Sequence, residues 1–213
     1  MASPLDLFFP ARCALCGAQI PRRDPRLCTP CLRKTAGWDG FRLRLTPDTV
    51  CIAASRYADT GQAVRDFKFR GRRDYAYTLA LLMAQAYVRQ RGDLPPCDAV
   101  TWTPVSLLRR LSRGYDQSRL LAEALGKLLD LPVVPALRKR RHTRRQSGIG
   151  DPGKRAENVR GVYTVRTAGE SRHVLLADDV VTTGATLREA AAVLEAAGWR
   201  CTALCFACTP EKL

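Results

Sequence analysis

The chain has 213 residues, of which 46% are hydrophobic, and this is enough for one α/β domain with a small appendage. No apolar run approaches the length of a membrane span, and the N-terminus lacks the basic start and apolar core of a signal peptide, so we expect a cytoplasmic protein without a membrane span. The net charge of +15 predicts affinity for polyphosphates, nucleic acid or anionic surfaces, although a solvated basic face explains part of it.

Two Cys-x-x-Cys pairs near the N-terminus predict a metal-binding module. Cys13 and Cys16 form the first pair, and Cys28 and Cys31 form the second. Four thiolates at this spacing can close a tetrahedral zinc site, which leaves no open position for catalysis. Two disulfides, which the cytoplasm disfavours, and four unrelated thiols are the alternatives. We therefore predict a structural Zn²⁺ in a module over residues 1–40, similar to a double zinc ribbon, followed by a second domain over residues 41–213.

The remaining chain alternates predicted strands with predicted helices. Asp74 and Asp116 are expected to cap two helices, and a turn is expected at residues 58–61. Strands are predicted at residues 50–57, 97–103, 163–165, 174–177 and 201–208. This alternation predicts an α/β fold with a mainly parallel sheet and flanking helices.

A further Cys-x-x-Cys match, Cys205 with Cys208, lies in the last predicted strand. A separation of three residues along a strand places two side chains on opposite faces, which does not suit a shared metal. We interpret these cysteines as small buried hydrophobic residues, together with Cys51 and Cys97.

Two basic segments lie between the predicted strands. The first basic loop, residues 104–117, carries Arg109, Arg110 and Arg113, and the second, residues 138–159, carries an arginine run and several glycines that indicate a mobile loop. Arginine forms paired, charge-assisted hydrogen bonds with phosphate, so both loops are candidates for holding a diphosphate. A solvated basic surface or a nucleic-acid patch is the alternative for each loop.

The segment 173–187 is the most specific functional signal. Four apolar residues at 174–177 predict a buried strand, Asp178 and Asp179 follow where we expect it to end, and a Thr- and Gly-rich turn leads into a helix that closes near Gly198. The amides of a helix N-terminus attract anions, and Gly184 allows close approach of the backbone. In parallel sheets, ligands gather at the carboxyl ends of strands.

This turn differs from other phosphate-binding loops, because it has neither the Lys of a nucleotide P-loop nor the three glycines of a dinucleotide fingerprint. An acidic pair before a phosphate cradle suits a ribose 5-phosphate. The segment resembles the 5-phosphoribosyl 1-diphosphate (PRPP) motif of type I phosphoribosyltransferases, and an ordinary strand-to-helix turn is the alternative. The resemblance implies Asp178 and Asp179 on the ribose hydroxyls, with the 5-phosphate surrounded by Thr182, Thr183, Gly184, Ala185 and Thr186.

Nearly the whole chain resembles the ComF family, a competence-associated, phosphoribosyltransferase-like group. The similar segments, in order, are residues 5–10 with the cysteine pairs, 67–71, 104–117, 143–146 and 155–158. Three residues depart from the family pattern: Tyr115, Asp116 and Lys139. Asp116 places a carboxylate where the family has an amide, which favours a helix-capping role at this position.

The resemblance implies a type I phosphoribosyltransferase fold that binds PRPP with Mg²⁺. Arg109, Arg113 and Lys68 are then expected on the diphosphate, with Arg144 or Arg145 added from the second basic loop. Asp178 or Asp179 is expected to stabilise charge on the ribose or to act as a base, which makes this pair the catalytic candidates. The sequence identifies no acceptor pocket, so catalysis stays open.

Three interpretations follow. One is a transferase of nucleoside metabolism with an unknown acceptor. Another is a zinc-stabilised scaffold with a vestigial PRPP loop. The last is a PRPP-responsive protein of DNA uptake that binds single-stranded DNA and partners of the competence machinery. Its expected DNA surface consists of Phe67, Lys68, Phe69, Arg70 and Arg72, although core packing is the alternative for the two Phe residues.

Overall fold

A computed structural model describes residues 10–140, 161–170 and 172–212. The strands are β1 (Phe41–Arg44), β2 (Val50–Arg56), β3 (Ala99–Trp102), β4 (Leu137–Lys139), β5 (Tyr163–Val165), β6 (His173–Val181) and β7 (Arg200–Cys208). The helices are α1 (Thr29–Ala36), α2 (Tyr57–Phe69), α3 (Ala76–Gln90), α4 (Leu107–Arg113), α5 (Gln117–Leu129) and α6 (Ala185–Glu195). Short 3₁₀ turns lie at Arg73–Tyr75 and Pro210–Lys212.

The main sheet has five strands in the order β1-β2-β7-β6-β3. The four strands from β2 to β3 are parallel, and β1 is an antiparallel edge. β6 and β7 are the central strands, and their almost wholly buried, apolar residues fit strands covered on both faces. The predicted α/β class with a mainly parallel sheet and flanking helices is therefore confirmed.

Helices cover both faces of this sheet. On one face, α3 and α5 pack with the end of α2 through residues such as Phe67, Met83 and Leu125. On the other face, α6 packs with the β4–β5 hairpin through Leu187, Leu194 and neighbours. The loop after β3 adjoins β6 near the acidic pair, since Thr103 donates its N–H to the carbonyl of Ala177. None of the helices in the described ranges combines the length and apolar composition needed to cross a membrane.

Several predicted boundaries are wrong. The turn expected at 58–61 lies inside α2, where Gly61 packs against the ring of Tyr57. Asp74 does not cap α3, because its carboxylate accepts hydrogen bonds from Arg72 instead. The first basic loop contains the helix α4, and β6 continues to Val181, four residues beyond the predicted strand.

The cysteines outside the N-terminal module are buried, as the sequence predicts. Cys205 and Cys208 are fully buried in β7, and Cys51 and Cys97 are buried as well. Burial raises the pKa of the Cys205 and Cys97 thiols, as expected for cysteines that pack as neutral hydrophobic residues.

The N-terminal module rests directly on α3 and on the 3₁₀ turn before it. The amide of Arg26 donates to the Thr78 hydroxyl at 2.7 Å, and the Tyr75 hydroxyl donates to the Cys13 carbonyl at 3.4 Å. Ala14 belongs to the main hydrophobic core rather than to the small core of the module. The boundary at residue 40 stays a prediction, and these contacts show that the two parts are packed together.

Asp116 caps α5, as the sequence predicts, and we expect its removal to destabilise the fold. One carboxylate oxygen accepts the N–H of Arg119 and the other accepts that of Val105, each at 3.2 Å. Asp116→Ala loses both bonds and should lower the free energy of unfolding by about 1–2 kcal/mol. Asp116→Asn keeps one acceptor, so its free energy of unfolding in urea should lie between those of the wild type and Asp116→Ala. Equal stability of Asp116→Ala and the wild type would contradict the capping role.

Candidate functional site

The acidic pair lies in the last third of β6. Asp178 and Asp179 are only 8% and 7% exposed. One oxygen of Asp178 accepts hydrogen bonds from the Ser118 hydroxyl and from the Asp179 amide, both at 2.8 Å. Thr103, beyond the end of β3, donates to Ser118 in turn at 3.4 Å. Side chains from β6, α5 and the loop after β3 therefore meet at one end of the sheet.

Burial controls the protonation of Asp178. Desolvation raises the pKa of Asp178 to about 6, and the neighbouring Asp179 acts in the same direction. Lys68 and the hydrogen bond from Ser118 oppose this rise without cancelling it. At neutral pH, Asp178 is thus an ionised carboxylate whose basicity is well above that of an exposed aspartate.

Lys68, which the family resemblance assigns to a diphosphate, lies beside the carboxylates. Its ammonium is 2.7 Å from Oδ1 of Asp179, with side chains that are 22% and 10% exposed. The lysine comes from the last turn of α2, more than a hundred residues before Asp179 in the chain. Only tertiary packing brings these two charges together, and the expected contact of Lys68 with a diphosphate stays a prediction.

The end of the first basic loop holds Lys68 in place through its backbone. The Tyr115 hydroxyl donates to the carbonyl of Phe67, and the Gln117 amide donates to that of Lys68 at 3.5 Å. Arg113 donates to Gln117 at 3.0 Å and lies over the ring of Phe69, 4.8 Å from its centroid. These contacts thus join residues 67–71 to residues 113–117 at the site. Both stretches belong to segments that carry the ComF resemblance.

The loop after β6 forms a concavity at the N-terminus of α6. Its accessible volume is about 20 Å³, and residues 180–187 line it. Gly184 has φ 71°, a left-handed conformation that side-chain-bearing residues rarely adopt, and it precedes the first helical residue, Ala185. Thr183 is 7% exposed, and its hydroxyl has no hydrogen-bond partner in the described part of the chain. A buried hydroxyl without a partner beside helix amides fits an anionic ligand.

Arg188 also reaches this loop, although the sequence analysis did not identify it. Its guanidinium donates to the carbonyl of Thr183 and lies 2.9 Å from where a Cβ on Gly184 would stand. Helical side chains lean toward the N-terminus, so an arginine in the first turns after a phosphate loop tends to return to that loop. That spacing is the signal by which Arg188 could have been found.

For several other residues, the predicted role stays a prediction. Arg109 belongs to α4. Residues 1–9, Arg144, Arg145 and the similar segments 143–146 and 155–158 lie outside the described residues. Phe67 is fully buried, which confirms core packing, the alternative to stacking on DNA bases, for this residue. Phe69 is 63% exposed, and its stacking on DNA bases stays a prediction.

The four N-terminal cysteines converge as predicted. All four Sγ atoms lie within 4.8 Å of one another, and those of Cys16 and Cys28 are 3.6 Å apart. A disulfide requires about 2.05 Å, whereas tetrahedral Zn–S bonds of about 2.3 Å place sulfurs roughly 3.8 Å apart. Burial by itself raises the pKa of the Cys13 thiol, but backbone hydrogen bonds at Cys16 and Cys28 outweigh it and lower the value to about 7. This donor set fits a metal such as zinc.

Asp178 makes stability depend on pH in a direction opposite to that of most carboxylates. The native state keeps this proton up to about pH 6, whereas an unperturbed aspartate loses it near 3.8. The native state therefore binds more protons between these values, and its stability falls as pH rises from about 4 to 6. Asp178→Asn should remove this fall and be the more stable protein at pH 7.5, by roughly 3 kcal/mol at most.

Urea unfolding at pH 4.5, 6 and 7.5 measures this effect. Asp48→Asn, which changes an exposed carboxylate, serves as the matched control and should follow the wild type. Curves for Asp178→Asn that run parallel to the wild type across this range would contradict a raised pKa at Asp178.

The chain is similar to known proteins in both sequence and structure. Competence protein F of Haemophilus influenzae is 28% identical over 192 residues, covering 87% of this chain and 79% of that protein. DNA utilization protein YhgH of Salmonella typhi is 29% identical over 190 residues, covering 85% and 77%. Adenine phosphoribosyltransferase from Leishmania donovani superposes with a TM-score of 0.43 at 12% identity, covering 81% of this chain and 76% of that one. No family model matches the chain.

These sequence relatives match most of the chain. The four cysteines that open the ComF resemblance come together in space, and residues 67–71 and 113–117 interlock beside the carboxylates. The chain is thus similar to competence protein F and to DNA utilization protein YhgH over most of its length, in agreement with the ComF resemblance of its sequence.

Proposed function

We propose that this protein binds PRPP, or a closely related ribose phosphate, at the carboxyl end of β6. The partnerless Thr183 hydroxyl, buried at the N-terminus of α6 a few residues after two buried carboxylates, is the observation that carries the proposal. A phosphate supplies the missing acceptor for this hydroxyl, and the helix amides and Arg188 favour its negative charge. The vicinal hydroxyls of a ribose are natural donors to the carboxylates of Asp178 and Asp179.

The size of the concavity limits what enters it. An accessible volume of about 20 Å³ accommodates a water or two, so a phosphate enters by its oxygens while the sugar stays outside the loop. We therefore assign the loop to the terminal 5-phosphate and the more open region near Lys68 and Arg113 to the diphosphate.

A divalent cation fits this arrangement. Mg²⁺ prefers carboxylate and phosphate oxygens, and Asp178 and Asp179 are the residues that would hold it together with the ligand. When bound, it would neutralise charge on the diphosphate. Asp178, ionised at neutral pH with a pKa of about 6, is suited to accept a proton from an attacking nucleophile, and we propose it as the base if transfer occurs.

The names of the relatives support a place for this protein in the uptake or use of DNA. Single-stranded DNA remains the second proposed ligand, because Phe69 is exposed beside Arg113 and the chain carries a net charge of +15. We expect the competence machinery to supply its protein partners and the cytoplasm to be its location.

Calorimetric titration of PRPP with Mg²⁺ tests the proposed function. We expect saturable binding by the zinc-loaded wild type and its loss in the double variant Asp178→Asn/Asp179→Asn, which lacks the charged acceptors for the ribose. Arg188→Met should weaken binding by about tenfold, since one charge-assisted contact to the phosphate is lost. Arg166→Met, which changes an arginine outside the site, is the matched control.

Titration with ribose 5-phosphate in place of PRPP tests the 5-phosphate without the diphosphate. Arg188→Met should weaken the binding of ribose 5-phosphate almost as much as that of PRPP, since the 5-phosphate is common to both compounds. A folded wild type that binds neither compound would contradict the proposal and favour a vestigial loop.

We also propose that the four-cysteine cluster holds one structural Zn²⁺. Among the described residues of the module, from residue 10 onward, the hydrophobic core has four buried members, Ala11, Cys13, Ile20 and Leu27, so a metal would supply much of its stability.

Elemental analysis of purified protein should find one zinc per chain in the wild type and much less in Cys28→Ser. Because the module packs on α3, zinc removal by a chelator should also lower the melting temperature of the whole protein. Cys97→Ser changes a cysteine outside the cluster and should keep the metal. Full zinc content in Cys28→Ser would contradict the assignment.

A further inference from the structure

The ammonium of Lys68 and a metal ion on Asp179 would compete for the same oxygen. The nitrogen lies 2.7 Å from Oδ1 of Asp179, and the side chains of both residues are mostly buried. Carboxylate–metal bonds are about 2.1 Å long for Mg²⁺, so an ion on this oxygen would lie within a few ångströms of the ammonium. Two cations at that separation repel strongly where water screens them only in part.

The surroundings leave Lys68 free to change partners without refolding. Its carbonyl accepts from Gln117 and the preceding carbonyl accepts from Tyr115, so the backbone at the end of α2 is anchored. The four-carbon side chain beyond this anchor is flexible and ends in a single compact charge. Its ammonium can therefore leave Asp179 while α2 stays in place.

We propose that Lys68 is a tethered cation that holds Asp179 while the site is empty and yields it to a divalent cation only when an anionic ligand draws the ammonium away. For the identity of that anion, a ribose phosphate that carries a diphosphate, the inference rests on the proposed function. The metal then replaces Lys68 on Asp179, and Lys68 gains the anion as its new partner. Metal and anion consequently strengthen each other's binding.

In this arrangement, a positive charge lies beside the acidic pair both in the empty and in the occupied site. In the empty site Lys68 balances one of the two buried charges, and with ligand the metal takes over that role. The metal alone binds weakly, because it would have to displace Lys68 without giving the ammonium a new partner.

Manganese binding without any phosphate compound is the decisive measurement. Free Mn²⁺ is followed by electron paramagnetic resonance in titrations of the zinc-loaded protein. Lys68→Met should bind Mn²⁺ at least about tenfold more tightly than the wild type, since the competing charge is gone. Lys68→Arg retains the charge and should bind close to the wild type.

Lys127→Met is the matched control, because it removes one exposed positive charge from α5 about 15 Å along the helix from Gln117. It should leave Mn²⁺ affinity unchanged. Circular dichroism verifies folding of each variant. If Lys68→Met does not fold, Lys68→Gln replaces it, because its amide can still donate to Asp179 without carrying charge.

A second titration, of PRPP in buffer free of divalent cations, completes the test. Lys68→Met should bind PRPP more weakly than the wild type, again by about tenfold. Equal Mn²⁺ affinity in wild type and Lys68→Met overturns the tethered cation even if PRPP binds. Tighter Mn²⁺ binding by Lys68→Met without PRPP binding by either protein leaves the tethered cation standing and overturns the proposed function instead.

Discussion

Two adjacent carboxylates at the buried end of a parallel strand are the constraint on which this site depends. Burying one ionised carboxylate is costly, and burying two next to each other adds their repulsion. The chain offsets this cost with the Ser118 hydroxyl, the backbone N–H of Asp179 and the Lys68 ammonium. The offset is incomplete, as the raised pKa of Asp178 shows, so the pair retains a tendency to bind further donors or cations.

This compensation explains why segments far apart in the chain meet at one place. Lys68 can neutralise Asp179 only if the end of α2 is fixed against the sheet, and Tyr115 and Gln117 fix it through two backbone carbonyls. Tyr115, a departure from the family pattern, thus keeps a structural role through its hydroxyl and through its contact with the ring of Phe67. The acidic pair and the first basic loop form one polar network.

The 3₁₀ turn at Arg73–Tyr75 links this network to the cysteine module. Arg73 donates to the carbonyl of Gly114 at 2.8 Å, at the end of the first basic loop, and Tyr75 donates to that of Cys13. This single turn therefore contacts both the cysteine module and the segment that anchors Lys68. It gives the module a physical route to the acidic pair.

Local patterns in the sequence were sufficient for the cysteine cluster, the buried strand and the positions of the acidic pair and of the turn into α6, because spacing and hydrophobic periodicity act between near neighbours in the chain. They were also sufficient for Asp116, whose cap bond is local. They failed for α4 and for the start of α2. They left open whether Phe67 lies on a basic, aromatic surface or in the core, and only tertiary packing decided for the core. Ser118, the pairing of Lys68 with Asp179 and the anchoring by Tyr115 and Gln117 were decided only by the tertiary structure, because each joins residues at least 48 positions apart through contacts that no local pattern encodes.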